Sequence, residues 1–309
     1  MRAVWSFWSK PFQEFKGRMW RSPLHHLLAW RLSFRLASRY YPDTMLVTDR
    51  AGKALLVDSL GLSFAHVSTE LDSIRKVDAG WWALGKLIAY ELQDRPFVHL
   101  DTDVFLWKAL PPSLLHAPVF AQCPEDHPPL AEWCGPIEVE QAFAQHGASL
   151  PAEWEWSRSR SLSYYREANC GIVGGTRIDF LRYYANLAID LILNPDHARA
   201  WGAFGDTQGY NMVVEQFLLQ SCVEFHRSNP ESPFRGISIR YLFPSFADAF
   251  DHEAAARVGF THLLGDAKRD SIVAQRLEQR SRDEDRDFYE HCVQLSRNRT
   301  LMAELGVWQ

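Results

Sequence analysis

The chain has 309 residues, 47% hydrophobic and 23% charged, with a net charge of −5. This is an ordinary globular balance, long enough to bury one large α/β core or two modest ones, and it argues against a nucleic-acid partner held by electrostatics. No run of eighteen apolar residues exists, the start Met1-Arg-Ala-Val-Trp-Ser-Phe-Trp8 lacks a signal peptide's apolar core and cleavage site, and five irregularly spaced cysteines imply no disulfide framework, so a reducing, cytoplasmic setting is expected.

Ala3 to Trp8 reads as a first strand. Residues 10–39 are basic, with seven Lys or Arg against Glu14. Ser22-Pro23 is a helix start, and Leu24, Leu27, Leu28, Leu32 and Leu36 follow at helical spacing. Arg31, Arg35 and Arg39 fall four apart on another face. That face is either solvated or in peripheral contact with an anionic membrane surface. Thr44 to Asp49 and Leu62 to Val67 read as further strands, and Trp81 to Leu92 as a helix. Strands alternating with helices predict a doubly wound, Rossmann-like sheet. No Gly-x-Gly-x-x-Gly follows the first strand and no Walker loop is present, so a nucleotide here would need a metal and basic side chains for its phosphates.

The central stretch is Arg95-Pro-Phe-Val-His-Leu-Asp-Thr-Asp-Val-Phe-Leu-Trp107, read as one buried strand carrying Asp101 and Asp103 near its end. Two carboxylates so close on a buried strand are costly unless neutralised, and a hard divalent cation such as Mn²⁺ or Mg²⁺ would do so. The plain alternative is a strand end turning into solvent, with both Asp residues capping the turn. Pro111 to Pro151 reads as loop with short helices, and Ser157 to Ser161 as a polar connection. Cys123, His127 and Cys134 match no usual zinc spacing. Gly171, Gly174 and Gly175 bracket a short strand, Ile172-Val173, and suggest close approach by another segment or a ligand. Helices are predicted over Phe180–Leu193 and Asn211–Leu219. The second carries Glu215 and Gln216 in apolar surroundings, as a satisfied structural pair or as site residues. A strand at Val258 to Phe260 precedes Thr261-His-Leu-Leu-Gly-Asp-Ala-Lys268. A main domain over 1–270 and a helical tail over 271–309 are expected, the tail docked by Leu295, Leu301, Leu305 and Trp308.

Asp101-Thr-Asp103, Asn169-x-Gly171, Glu215-Gln216 and His262-x-x-Gly265-x-x-Lys268 stand in one order. That order resembles the nucleotide-sugar-dependent glycosyltransferases of the GT-A fold, in particular the glycogenin and bacterial lipopolysaccharide galactosyltransferase group. Most of the chain also resembles uncharacterised bacterial proteins assigned to that fold, which share the Trp-Ser-Phe-Trp start and the Pro-Phe-Val-His-Leu-Asp-Thr-Asp core. The resemblance implies a Rossmann-like α/β, mainly parallel sheet flanked by helices. It also implies transfer of a sugar from a UDP-sugar or similar donor to a glycan, lipid-linked or small-molecule acceptor. By the same resemblance Asp101, Asp103 and His262 hold Mn²⁺, Lys268 and the Gly265 backbone hold the diphosphate, and Trp5, Ser6, Lys86, Thr102, Asn169 and Gly171 lie along the donor. Glu215-Gln216 corresponds to the family's Asp-Gln pair, which favours retention of anomeric configuration. Two departures are visible: Arg269-Asp270 stands where the family has Pro-Trp, and Glu-Gln replaces Asp-Gln. A nucleotidyltransferase, which also uses paired carboxylates, and an inert sugar-nucleotide or glycan-binding protein are the competing readings.

Overall fold

The computed structural model describes residues 1–128, 134–160 and 163–298. The fold is mixed α/β, with a mainly parallel central sheet flanked by helices. Its strands, in chain order, are β1 (Arg2–Phe7), β2 (Thr44–Thr48), β3 (His66–Ser68), β4 (Phe97–Leu100), β5 (Val104–Leu106), β6 (Val119–Ala121), β7 (Pro124–His127), β8 (Tyr165–Ala168), β9 (Ile172–Gly175), β10 (Ile239–Tyr241) and β11 (Phe260–His262). The helices used below are α1 (Pro23–Ser38), α2 (Leu84–Glu91), α3 (Pro136–His146), α4 (Ala152–Arg160), α5 (Ile178–Leu193), α6 (Leu218–Ser228), α7 (Ser271–Glu284) and α8 (Arg286–Arg297). The chain divides into two compact units interleaved in sequence.

Unit 1 comprises residues 80–99 and 111–255. Its strands of the main sheet run in the order β10-β6-β9-β4. β10 and β6 are parallel, and β9 runs antiparallel to β6. A Cβ at Gly174 would lie 2.0 Å from the Phe97 carbonyl oxygen, so this position requires glycine. The expected close approach is therefore made by the chain itself. β6 and β7 occupy the stretch expected to be loop. Val119-Phe-Ala is too short for a periodic signal, and Pro124-Glu-Asp-His is polar throughout, so neither reads as a strand. The polar connection after Ala152 is instead α4, with Ser161 outside the described residues. The helix carrying Glu215 and Gln216 runs from Tyr210 into α6 through a wide π turn at Val213–Phe217. Such turns are rare and recur at functional sites.

Unit 2 comprises residues 2–79, 100–110 and those from 256 on. Here β1, β2 and β3 are parallel neighbours. α7 and α8 pack on α1. The tail is thus part of this unit rather than an appendage to it. Leu295 is buried as expected, while Leu301, Leu305 and Trp308 lie outside the described residues. Arg31 and Arg35 reach the Asp285 carboxylate at 2.8 and 3.3 Å, and Arg39 pairs with Glu284. The arginine stripe of α1 is thus paired with carboxylates at the junction of α7 and α8, while Arg35 and Arg39 stay partly exposed.

Candidate metal and diphosphate site

The central stretch is not one strand. β4 ends at Leu100, Asp101 to Asp103 form a tight turn closed by Val104 N–H donating to the Asp101 carbonyl at 3.0 Å, and β5 begins a separate ladder. β5 pairs antiparallel with β11, which sets His262 opposite Val104. The ladder continues at both ends: Leu263 N–H donates to the Asp103 carbonyl at 3.0 Å and Trp107 N–H to the Gly259 carbonyl at 2.8 Å. Backbone pairing thus brings together residues roughly 160 positions apart.

His262 Nε2 lies 3.4 Å from Asp103 Oδ1. Asp101, Asp103 and His262 each offer a ligand atom, all within 4.8 Å of one another. Lys268 Nζ lies 2.5 Å from Asp103 Oδ2. Asp103 is only 5% exposed. Burial by itself would raise its pKa, but the Lys268 ammonium and then His262 outweigh burial and hold it well below the usual carboxylate range. Gly265 starts the turn Gly265–Lys268 in the left-handed region, φ 51°, which returns Lys268 toward the aspartates. Arg21 N–H donates to the Lys268 carbonyl at 3.0 Å, and the lysine ammonium sits 5.8 Å over the Trp20 ring. The departure at Asp270 has a local cause: its carboxylate accepts the Ile272 and Val273 N–H groups, both at 2.8 Å, and so caps α7. Two carboxylate oxygens and an imidazole nitrogen are donors that could hold a divalent cation such as Mn²⁺ or Mg²⁺, and Asp103 presents a separate oxygen to each neighbour.

The remaining expected site residues fall differently. Trp5 is 0% exposed, its indole N–H donates to Ser33 Oγ at 3.0 Å, and its ring packs on Phe34 and Phe64. It is a core residue, because β1 is buried on both faces, with Ser6 its one half-buried position. Thr102 is half-buried in the turn. In unit 1, Lys86 Nζ lies 2.9 Å from Glu215 Oε1 and 3.0 Å from the Cys170 carbonyl, and Tyr90 Oη donates to the same Glu215 oxygen at 2.7 Å. Glu215 is 0% exposed. It is a structural ion-pair partner, and Lys86 is likewise a buried cation held by it, not a group open to a donor. Gln216, beside it, keeps its Oε1 buried without a hydrogen-bond partner. Asn169 donates to Glu125 Oε1 at 2.5 Å and accepts from Gly171 N–H at 2.9 Å. Cys123, His127 and Cys134 do not converge among the described residues, whereas Glu125, His127 and Glu167 do. The two glutamates were missed because only the cross-strand register of β7 and β8 joins them.

The chain belongs to a known sequence family. It is a family of unknown function, DUF6734, which matches residues 1–295. No curated protein matches the chain. Among solved structures it is similar to the galactosyltransferase LgtC in complex with donor and acceptor sugar analogues. That match has 15% identity and a TM-score of 0.41, and covers 92% of this chain and 96% of the other. It is also similar to an active-site mutant of LgtC, at 13% identity and TM-score 0.40 over 90% of this chain and 94% of the other.

Proposed function

We propose that the protein is a metal-dependent glycosyltransferase of the GT-A fold that uses a nucleoside-diphosphate sugar, UDP-linked by preference. The observation that carries this reading is the convergence of Asp101, Asp103, His262 and Lys268 on one turn and one ladder of unit 2. A buried and a half-buried carboxylate with a lysine beside them form a receptor for a cation and a polyanion together. Asp101, Asp103 and His262 would hold Mn²⁺ or Mg²⁺, which when bound would supply positive charge to neutralise a diphosphate leaving group. Asp101 and Asp103 fix where that charge is met. Lys268 balances Asp103 in the free protein and provides an ammonium for phosphate oxygens when donor binds. The Gly265 turn holds the lysine in reach.

Gln216 is assigned to the sugar, whose developing positive charge an amide oxygen steadies. Its orphaned buried Oε1 supports that assignment. Glu215 holds Lys86 and Tyr90 through Oε1, and a carboxylate engaged in this way favours retention over inversion. The acceptor is a glycan, a lipid-linked sugar or a small molecule. Incubation with a panel of sugar nucleotides and Mn²⁺ tests the reading. Release of a nucleoside diphosphate is the expected product. Release of pyrophosphate would instead establish nucleotidyl transfer, and tight binding without turnover an inert binding protein.

A further inference from the structure

β7 and β8 form a two-stranded antiparallel ladder in unit 1, with Glu125 opposite Glu167, Asp126 opposite Arg166 and His127 opposite Tyr165. Side chains alternate between faces along each strand. On one face Asp126 and Arg166 make a bidentate pair at 2.7 Å through both nitrogens. The other face carries Glu125, Glu167 and His127. Two carboxylates directly opposite each other repel and destabilise a ladder unless something positive lies between them. Glu167 is 1% exposed. Its Oε2 and His127 Nε2 are both buried and face each other at the ion-pair distance of 3.3 Å, without a well-aligned hydrogen bond. Glu125 Oε2 lies 3.7 Å from the same nitrogen.

We propose that Glu125, His127 and Glu167 form a second divalent-cation site, of zinc type, separate from the aspartate turn. Bonds of about 2.0–2.1 Å to zinc set tetrahedral ligand atoms about 3.3 Å apart. An octahedral ion with bonds of that length would set them closer, at about 3.0 Å. The 3.3 Å between Glu167 and His127 matches the tetrahedral edge, and Glu125, at 3.7 Å, needs a small inward movement to match it. One imidazole and two carboxylates make three protein ligands and leave a fourth position for water or a substrate oxygen. The surroundings already orient these ligands. Asn169 donates to Glu125 Oε1, leaving Oε2 as the oxygen nearer His127, and the amide is itself fixed by Gly171 N–H. The Tyr165 ring stacks on the imidazole, 5.1 Å between centroids at 28°. Outer partners of this kind are what metal-ligating carboxylates and histidines have. Asn169 is thus a positioning residue for Glu125. This inference does not rest on the proposed glycosyl transfer.

The test uses the full chain carrying Asp103→Asn, so that the aspartate turn contributes little, stripped with chelator and titrated with Zn²⁺. Bound zinc is counted by native mass spectrometry, and Co²⁺ is substituted to read coordination geometry. The expected result is one zinc per chain, with the intense visible bands of tetrahedral cobalt. Glu167→Gln and His127→Asn should each weaken zinc binding at least about tenfold, and Asn169→Ala by about 10- to 100-fold. Circular dichroism identifies any variant that fails to fold, and the remaining two then decide. Absence of stoichiometric zinc, or zinc affinity unchanged in the folded variants, overturns the site.

Discussion

The buried pair of Lys86 and Glu215 allows the sharpest quantitative prediction. Lys86 is 8% exposed and Glu215 0%, with 2.9 Å between Nζ and Oε1. At an effective dielectric of about 20, that separation corresponds to about 6 kcal/mol of attraction, most of it offset by desolvating two ions. Glu215→Ala removes the anion but leaves the ammonium buried, with the Cys170 carbonyl at 3.0 Å among its neutral partners, and it also removes an acceptor of Tyr90 Oη. Loss of one partner of a buried pair costs about 3–5 kcal/mol. Replacing both by apolar side chains, as in Lys86→Met with Glu215→Leu, should restore most of that stability. Urea unfolding of the wild type, the two single variants Lys86→Met and Glu215→Leu, and the double variant measures a coupling expected to exceed about 2 kcal/mol. Additive effects, or a Glu215→Ala cost below about 1 kcal/mol, would refute the structural assignment of this pair. A stable Glu215→Gln variant that had lost all turnover would return Glu215 to the role of base.

Four further outcomes are expected. His26 is wholly buried, and desolvation followed by the Lys268 charge lowers its pKa to about 3. The unfolded chain takes up a proton there below about 6.5 and the folded chain does not, so this group subtracts stability as pH falls from about 6.5 toward 3, by about 2 kcal/mol at pH 5. Urea unfolding at pH 7 and pH 5 should show a loss about 2 kcal/mol smaller in His26→Gln than in the wild type. Gly174→Ala drives a methyl into the Phe97 carbonyl and should cost about 3 kcal/mol or prevent folding, read by thermal unfolding. Asp285→Ala loses the cap accepting Phe288 N–H at 3.1 Å as well as the partner of Arg31 and Arg35, for an expected cost of about 1–2 kcal/mol by the same measurement. NMR of the first product from an α-linked donor should show an α linkage, and a β linkage would contradict the assignment of Gln216.

The layered α/β class was legible because strands and helices alternate over the first hundred residues at clear periods. Leu24 to Leu36 mark α1, and Thr44 to Thr48 mark β2. The short sheet strands β6 and β10 were not legible, because three residues carry no period. The aspartates, His262 and Lys268 could be named from their motifs, but the β5–β11 ladder that joins them is a long-range pairing with no local signature. Glu215 reads ambiguously from sequence because a carboxylate among apolar residues can be catalytic or paired. Only Lys86, about 130 residues earlier, shows which applies here. The Glu125–Glu167 opposition is invisible for the same reason: like charges on separate strands become neighbours only once the register of β7 and β8 is known.

Calorimetric titration of Mn²⁺ and UDP into the wild type and Asp103→Ala tests the central claim most directly. The wild type should bind UDP tightly only with Mn²⁺ present, and Asp103→Ala, folded by circular dichroism, should lose the metal-dependent part of that affinity. UDP binding with unchanged Mn²⁺ dependence in Asp103→Ala would contradict the assignment of Asp101, Asp103 and His262 as the cation and diphosphate site.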